Sequence, residues 1–335
     1  MSSPLVSVLL PVRDAAATLG AALASLRAQT LADHELIAVD DGSADESAGM
    51  LAAACQADPR LRLLRPGRVG LVAALNLAAE AARAPFVARM DADDIAHPER
   101  LRLQAERLRS EPGLAILATR VRLVGGAGNR GMRDFVAWSN ALLDHDAIVR
   151  DLLVESPLVH PSVMLRRDVL AGLGGYRDDG GPEDYDLWLR AHAAGLRFGK
   201  LAQELLDWRD SPGRLTRADP RYAPERFRAR KIVALEAGPL TPGRALAIWG
   251  AGRAGKAFAR AARARGHALC AFVEVDPRKL GQTIHGAPVL SLHEAAALRG
   301  PLHLAAVGEP AARERIRAEA RRLGLVEGAD LVAVA

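Results

Sequence analysis

Three carboxylates end a short apolar segment in the first third of the chain. Residues 86–90 are mostly apolar, and Asp91, Asp93 and Asp94 follow at once. Carboxylates this close repel one another, so their spacing indicates a bound cation, and their hard oxygens suit Mg²⁺ or Mn²⁺. The alternative is a solvated acidic turn ahead of the helix expected near Pro98.

Acids also stand at two other positions where chemistry is plausible. Asp40 and Asp41 follow the largely apolar residues 34–39, and Asp184 follows a Gly-Gly-Pro turn and opens an apparent helix. A carboxylate can act as a general acid or base toward a bound substrate, which typically contributes about 10²–10⁴ in rate. The competing interpretation of Asp184 is an acid that stabilises a helix N-terminus.

The elements that must position these acids alternate between strand and helix. Strands are expected at residues 5–10, 34–39, 60–64 and 86–90, with helices between them. This alternation predicts an α/β fold with a mostly parallel sheet covered on both faces. Asp41 and residues 91–94 then share the carboxyl edge of the sheet, where open α/β sheets bind ligands.

Ser43 is a possible nucleophile, but its spacing favours a structural role. Ser43 and Glu46 have the Ser-x-x-Glu pattern of a capping box, and Met50, Leu51 and Ala54 follow on one helical face. We therefore predict that Ser43 caps the second helix.

Composition sets the class of protein. The chain has 335 residues, half of them hydrophobic, which favours two domains. Its two cysteines argue against disulfides and cysteine-based metal sites. The net charge of +5 is too small to imply a nucleic-acid partner. Without an apolar run of membrane-spanning length or a signal-peptide pattern at residues 1–4, we expect a cytoplasmic protein.

Four segments together resemble the signature blocks of family 2 inverting glycosyltransferases. They are Val-Ser-Val-Leu-Leu-Pro ending at Pro11, Val-Asp-Asp-Gly-Ser around Asp41, Met-Asp-Ala-Asp-Asp from residue 90, and Glu-Asp-Tyr-Asp-Leu-Trp from residue 183. Each block is weak alone, whereas four in this order are specific, and the resemblance covers roughly residues 4–210. It implies a glycosyltransferase A-type fold, a nucleotide-sugar donor and a divalent cation.

The resemblance also implies roles for individual residues. Asp41 would bond the base of the nucleotide, Asp91 would lie near the ribose and the metal, and Asp93 would bind the metal on the diphosphate. Asp184 would be the catalytic base. Pro11, Arg13 and Glu183 complete the expected nucleotide-sugar site.

Some positions depart from the family pattern. Arg13 and Asp14 stand where Tyr and Asn are frequent, so an arginine plane would replace an aromatic ring against the base. His160 could approach the diphosphate or the metal, but a structural role is the favoured interpretation.

A basic stretch follows the first domain's signature blocks. Residues 214–231 carry seven basic side chains against two acidic ones. Such a run usually marks a solvated face. The alternative is peripheral contact with an anionic membrane surface, which would suit a lipid-linked acceptor at the inner face of a membrane.

The last ninety or so residues predict a second domain. Residues 238–243 form a Pro/Gly-rich linker between a glycosyltransferase domain at 1–237 and a smaller Rossmann-like domain at 244–335. There a strand leads into Gly250, Gly252 and Gly255, and Glu274 ends the next strand about 20 residues later, the spacing of a dinucleotide fingerprint. This turn could bind NAD or a nucleotide sugar, or could serve packing alone.

The function expected from these patterns is a metal-dependent inverting glycosyltransferase that acts on a glycan or lipid-linked acceptor in surface-polysaccharide synthesis. Two alternatives remain, an NAD-dependent sugar-modifying oxidoreductase and a non-catalytic sugar-nucleotide sensor. The sequence does not determine the donor sugar, the linkage or the oligomeric state.

Overall fold

The computed structural model describes residues 4–125, 129–211 and 214–335, with the side chain of Leu215 also excluded. The chain divides into two compact units. The first comprises residues 4–148 and 157–222, and the second comprises Val149–Ser156 and Ala223–Ala335. Residues 1–3, part of the expected N-terminal pattern, lie outside the described chain.

An eight-stranded sheet is the centre of the first unit. Its strands in chain order are β1 Val6–Val12, β2 His34–Asp40, β3 Leu61–Leu64, β4 Phe86–Arg89, β5 Ile95–Ala96, β6 Leu114–Gly125, β7 Met164–Arg166 and β8 Arg197–Asp210. They are arranged β3-β2-β1-β4-β7-β6-β8-β5. The first four are mutually parallel, and β7 joins them antiparallel to β4.

The helices of this unit are short. They are α1 Ala16–Arg27, α2 Ser47–Ala57, α3 Leu71–Ala81, α4 Arg100–Ser110, α5 Arg130–Ala141, α6 His145–Asp151 (which runs into the second unit), α7 Arg167–Gly172, α8 Glu183–Ala193 and α9 Leu215–Ala218. Three-residue 3₁₀ helices occupy His160–Ser162 and Pro220–Tyr222. The buried faces of α1, α2 and α4 pack with the sheet in one apolar core.

The strand register brings the expected acids to one edge. Strand β1 pairs with β2 on one side and β4 on the other, so Pro11 lies opposite Val39 and Leu9 opposite Arg89. Strands β1, β2 and β4 all end within a few residues of these paired positions. The carboxyl ends of β2 and β4 therefore flank the end of β1, as the α/β prediction required.

The capping box predicted at Ser43 is wrong. Helix α2 begins at Ser47, and its N-cap residue Glu46 makes no side-chain cap. Ser43 instead accepts a hydrogen bond from the backbone N–H of Asp14 at 3.1 Å, and its own N–H donates to Asp40 at 3.0 Å. The Ser43 hydroxyl therefore stabilises the turn between the ends of β1 and β2. Residues 41–46 form a longer loop than the pattern indicated, so α2 begins only at Ser47.

The second unit has a six-stranded sheet with its own core. Its elements are α10 Pro224–Glu236, β9 Leu246–Trp249, α11 Arg253–Ala264, β10 Leu269–Val273, β11 Thr283–Ile284, β12 Ala287–Leu290, α12 Leu292–Ala295, β13 Leu302–Ala305, α13 Pro310–Arg322 and β14 Leu331–Ala333. The order is β11-β12-β10-β9-β13-β14, and all neighbours are parallel except the β11–β12 hairpin. Five parallel strands thus follow the 3-2-1-4-5 order of dinucleotide-binding folds.

The boundary between the units differs from the predicted linker at 238–243. Helix α10 belongs to the second unit because Ile232 and Leu235 pack into its core. The segment Val149–Ser156 joins the same unit through Asp151, which pairs with the buried Arg317 at 2.5 Å. In the described parts of the chain, no helix has both the length and the hydropathy needed to cross a bilayer.

Candidate active site

The three acids after β4 form one cluster. Asp91, Asp93 and Asp94 each offer a carboxylate oxygen, and these oxygens all lie within 4.8 Å of one another. Asp91 and Asp93 are half-buried, whereas Asp94 is buried. The backbone N–H of Arg209 donates to Asp94 Oδ1 at 2.9 Å, and Arg209 Nε donates to the carbonyl of Asp93 at 2.9 Å. The turn is therefore fastened to β8 rather than free in solvent.

The end of β4 is fixed from helix α4. Arg100 is fully buried, and its guanidinium donates to the carbonyl of Arg89 at 2.7 Å and to Gln104 at 3.1 Å. Gln104 in turn donates to the carbonyls of Leu117 and Ser162. Burial lowers the pKa of Arg100 to about 9. These bonds connect β4, β6 and the 3₁₀ turn at residue 160, so the position of the acids is set by the core.

A buried cation lies beside the acid cluster. Arg89 is 3% exposed, and its Nη1 lies 2.6 Å from Asp91 Oδ1. Burial opposes the charge, but Asp91, Tyr176 and Glu183 together outweigh burial and raise the pKa of Arg89. Arg89 therefore faces both Asp91 and the start of α8. Arg89 was not among the predicted site residues, although a charged side chain inside an apolar strand is a signal of such a role.

The acids fit a divalent cation. Burial raises the pKa of Asp93 and Asp94, and repulsion from Asp91 raises both further. Asp94 Oδ2 is buried and has no hydrogen-bond partner among the described residues. An unpaired buried carboxylate oxygen next to two other carboxylates is costly without a compensating charge, and hard oxygen donors suit Mg²⁺ or Mn²⁺.

Asp41 lies at the end of β2, as expected, and is buried. Its Oδ1 accepts the backbone N–H groups of Val69 at 2.6 Å and Gly70 at 2.8 Å. Pro11 is buried in β1, opposite Val39. Arg13 is exposed and lies 3.5 Å from Asp14, so its side chain is available at the edge of the sheet. The structure brings Pro11 and Asp41 to the predicted edge, with Asp41 also bracing the loop before α3.

Glu183 occupies the centre of a buried hydrogen-bond network at the start of α8. It is 2% exposed, Tyr222 donates to its Oε2 at 2.8 Å, and His160 Nδ1 lies 3.5 Å from its Oε1. Burial opposes ionisation of Glu183, but the bonds from His160 and Tyr222 outweigh it and hold its pKa below the usual value. Both carboxylate oxygens thus have protein partners.

The proton positions in this network follow from burial. Burial lowers the pKa of His160, so its ring is neutral near pH 7. His160 Nε2 lies 3.1 Å from the hydroxyl of Tyr176. A neutral ring that donates from Nδ1 to Glu183 must accept from Tyr176 at Nε2. Tyr176 is itself held by Asn76, whose side chain bonds both its N–H and its carbonyl at 2.9 Å. The two 3₁₀ helices, helix α3 and the loop that carries Tyr176 therefore fix Glu183.

Asp184 is placed differently from Glu183. It is half-buried, and its Oδ1 accepts the N–H of Tyr185 at 2.7 Å. Acids in the first turn of α8 also complement the helix dipole. The network around Glu183 thus holds the first turn of the helix and, with it, the partly exposed Asp184.

The basic stretch at 214–231 does not form one solvated face. Arg214 stacks on Trp208 at 3.9 Å and lowers the pKa of Asp93 and Asp94 against their larger burial effect. Arg217 pairs with Asp210 at 2.5 Å. Lys231 is buried and donates to two backbone carbonyls of the second unit. Arg214 is a second candidate site residue that sequence analysis did not single out.

The glycine turn of the second unit has the expected local geometry. Gly250 has φ +105°, and a Cβ on Gly255 would lie 1.9 Å from the carbonyl oxygen of Gly250. Gly255 is therefore required for helix–strand packing. Glu274 Oε2 accepts the N–H of Ala251 and the ammonium of Lys279, each at 3.0 Å. The acid expected at a ribose already has protein partners.

The sheet order and the acid turn after β4 define a glycosyltransferase A-type fold. TarS of S. aureus, in complex with UDP-GlcNAc, is similar with a TM-score of 0.56 and 17% identity, over 69% of this chain and 66% of that one. The mannosyltransferase PcManGT from Pyrobaculum calidifontis, in complex with GDP-Man and Mn²⁺, has a TM-score of 0.50 and 20% identity, over 70% and 63% of the two chains. At these identities the likeness concerns the fold alone.

Sequence comparison identifies the family. Residues 7–174 match the profile of Glycosyl transferase family 2, and the chain belongs to that family. The O-antigen biosynthesis protein RfbC of Myxococcus xanthus is 34% identical over 62% of this chain, a match that spans only 16% of RfbC. The O-antigen biosynthesis glycosyltransferase WbnJ of Escherichia coli is 29% identical over 61% of this chain and 79% of WbnJ. The family match ends before Glu183 and Asp184.

Proposed function

We propose that the protein is a metal-dependent inverting glycosyltransferase. It moves a sugar from a nucleotide-sugar donor to a glycan or lipid-linked acceptor in surface-polysaccharide synthesis. The observation that carries the proposal is the cluster of Asp91, Asp93 and Asp94, beside Asp41 on the same sheet edge. The names of RfbC and WbnJ support the polysaccharide context.

Asp91 and Asp93 would hold the cation, with Asp94 completing the acidic environment. A cation bound there would supply Lewis-acid stabilisation of the charge on the leaving diphosphate. Arg214 adds a positive charge near the same acids. Asp41 would bond the nucleotide base, and Pro11 and Arg13 would border the donor at the sheet edge.

Asp184 would act as the catalytic base. The acceptor oxygen bonds the anomeric carbon, the bond from that carbon to the diphosphate oxygen breaks, and the nucleoside diphosphate leaves with the electron pair. The hydroxyl proton passes to the Asp184 carboxylate. A single displacement inverts the anomeric centre. Glu183, predicted as a donor-binding residue, serves this scheme better as a positioning residue, since His160 and Tyr222 occupy its oxygens.

Release of nucleoside diphosphate tests the proposal. Candidate nucleotide sugars, Mn²⁺ and acceptors would be mixed with the protein, and Asp184→Asn should lower turnover at least a hundredfold while donor binding persists. Asp134→Asn is the matched control, because this residue is exposed on α5 and pairs only with Arg130 among the described residues. Donor binding without turnover in the unaltered protein would favour the sensor alternative.

The oxidoreductase alternative depends on the second unit alone. Nucleotide binding there would use Gly250, Gly252, Gly255 and Glu274, and a ribose at Glu274 would compete with Lys279. Binding of NAD or a nucleotide sugar at this turn therefore stays a prediction. Titration of the full protein with NADH and with UDP-sugars would test it, using Glu274→Gln to separate this turn from the first unit. If Glu274→Gln bound NADH and UDP-sugars as the unaltered protein does, the glycine turn would have only a packing role.

The cytoplasmic location expected from the sequence also stays a prediction. We infer it from the donor class, since the proposed reaction requires access to nucleotide sugars. Fractionation of cells expressing the tagged protein would test it, and recovery from an extracytoplasmic fraction would contradict it.

A further inference from the structure

The positive charge of the chain is concentrated in the second unit. Residues 223–267 contain ten lysines and arginines and only two acids, Glu225 and Glu236. This local excess is larger than the net charge of +5 of the whole protein. One of the two acids is already engaged, because Glu236 pairs with Arg265 and His267. Because residues 223–267 carry more positive charge than the whole chain does, the remaining residues are slightly acidic in sum. The excess positive charge thus lies in one part of the sequence.

Helices α10 and α11 carry much of this charge. They pack side by side within the second unit. Five of their cations, which we call the basic face, make no ion pair with any residue that the structure describes, and all are exposed or half-exposed. They are Arg226, Arg228, Arg253, Lys256 and Arg260. Helix α11 contains no acidic residue, so nothing along it offsets the charge.

An apolar groove runs between the two helices. It has a volume of about 450 Å³, and its walls include Ala229, Ile232, Ala257 and Ala261. The side chains of Glu225, Arg228, Arg260 and Arg265 border it. One turn beyond Ala229 along α10, Val233 is 47% exposed. Three arginines and one glutamate thus border an apolar strip that is open to solvent.

We propose that the basic face docks on a membrane surface rich in anionic phospholipid. Lipid phosphates would meet the arginines, and the apolar strip would lie against the boundary between headgroups and acyl chains. A soluble polyanion would use the charge but leave the groove and Val233 in water. Stacking with nucleic-acid bases is also disfavoured, because Phe258 on α11 is buried and Phe227 on α10 is half-buried.

This inference concerns the second unit and does not depend on the proposed transferase activity. Its magnitude follows from the number of cations. Each basic residue near an anionic surface contributes about 1 kcal/mol, which is about a fivefold effect on partitioning. Removal of three such charges should therefore weaken vesicle binding by roughly a hundredfold.

Vesicle flotation with the full-length protein tests the proposal. We expect the protein to float with vesicles of phosphatidylcholine containing about 30% phosphatidylglycerol at low salt, not with phosphatidylcholine alone, and to be released at high salt. The variant Arg228→Gln/Lys256→Gln/Arg260→Gln should lose about a hundredfold in partitioning. Glutamine favours helix, and thermal melting would verify that the fold persists.

A matched variant separates location from net charge. Arg315→Gln/Arg321→Gln/Arg322→Gln removes three exposed cations from α13 of the same unit. It should bind vesicles within about threefold of the unaltered protein, given that it leaves the basic face intact. Equal loss in both variants, or equal binding to both kinds of vesicle, would overturn the proposal. So would binding to heparin or DNA without binding to the anionic vesicles.

Discussion

Removal of the Tyr222 hydroxyl is a direct test of the network that fixes the first turn of α8. This hydroxyl donates to Glu183 Oε2 at 2.8 Å, and Glu183 is 2% exposed and ionised. The variant Tyr222→Phe keeps the ring and removes only the donor. Glu183 is buried, so water cannot readily replace the lost donor, and the carboxylate loses a partner without compensation.

The expected loss follows from the charge of the acceptor. Hydrogen bonds to charged groups contribute about 1.5–3 kcal/mol, whereas those between neutral groups contribute about 0.5–1.5 kcal/mol. Tyr176→Phe is the natural comparison, because the Tyr176 hydroxyl bonds the neutral His160 ring at 3.1 Å. We therefore predict that Tyr222→Phe destabilises the start of α8 by about 2 kcal/mol and Tyr176→Phe by about 1 kcal/mol.

Hydrogen exchange on residues 183–193 provides the measurement. A global free energy of unfolding is poorly defined for a chain of two units, but local opening of one helix can be followed directly. Exchange of the α8 amides should accelerate about 30-fold in Tyr222→Phe and about fivefold in Tyr176→Phe. A smaller effect for Tyr222→Phe than for Tyr176→Phe would refute the assignment of Glu183 as an ionised, buried acceptor.

Three further predictions concern the second unit. Burial lowers the pKa of His303 to about 4, so the unfolded state binds its proton more tightly than the folded state does. The free energy of unfolding of the second unit should therefore fall by up to about 3 kcal/mol as the pH falls from 6.5 to 4. Melting of His303→Asn as a function of pH should lack that loss. Gly255→Ala places a Cβ 1.9 Å from the Gly250 carbonyl oxygen and should lower the free energy of unfolding by about 1–3 kcal/mol. At Gly252 an added Cβ meets no described atom within 4 Å, so Gly252→Ala should melt nearly as the unaltered protein does. Equal melting of the two variants would contradict the packing role of Gly255. Arg317→Met removes the buried guanidinium that pairs with Asp151 and should cost about 3 kcal/mol, most of it recovered in Arg317→Met/Asp151→Leu. No recovery in a urea melt would count against the ion pair as the cause.

Local sequence patterns predicted the sheet edge and its acids well. Strand β4 ends at Arg89, one residue from the expected end, and Asp41 and Asp91 follow β2 and β4, the two strands that flank β1. This success has a physical reason. Apolar runs bounded by glycine and acid turns are short-range signals, and parallel register places their carboxyl ends together.

The network at Glu183 could not be predicted in the same way. Glu183, His160 and Tyr222 are separated by 23 and 39 residues along the chain, and no local pattern states that they meet. The unit boundary was missed for a related reason. The packing of α10 into the second core depends on long-range contacts, whereas the prolines and glycines at 238–243 are a local signal. Tertiary packing decided both features.

Binding of Mn²⁺ in the presence of a nucleoside diphosphate tests the cation site most directly. Free Mn²⁺ would be followed by electron paramagnetic resonance in the unaltered protein, in Asp93→Asn and in the control Asp134→Asn. We predict one tightly bound Mn²⁺ ion per chain, with the same affinity in the control. In Asp93→Asn the affinity for Mn²⁺ should fall by more than the roughly 10- to 100-fold that is typical when a residue outside the ligand set is changed. Equal Mn²⁺ affinity in Asp93→Asn and the unaltered protein would contradict a metal held by the acids after β4.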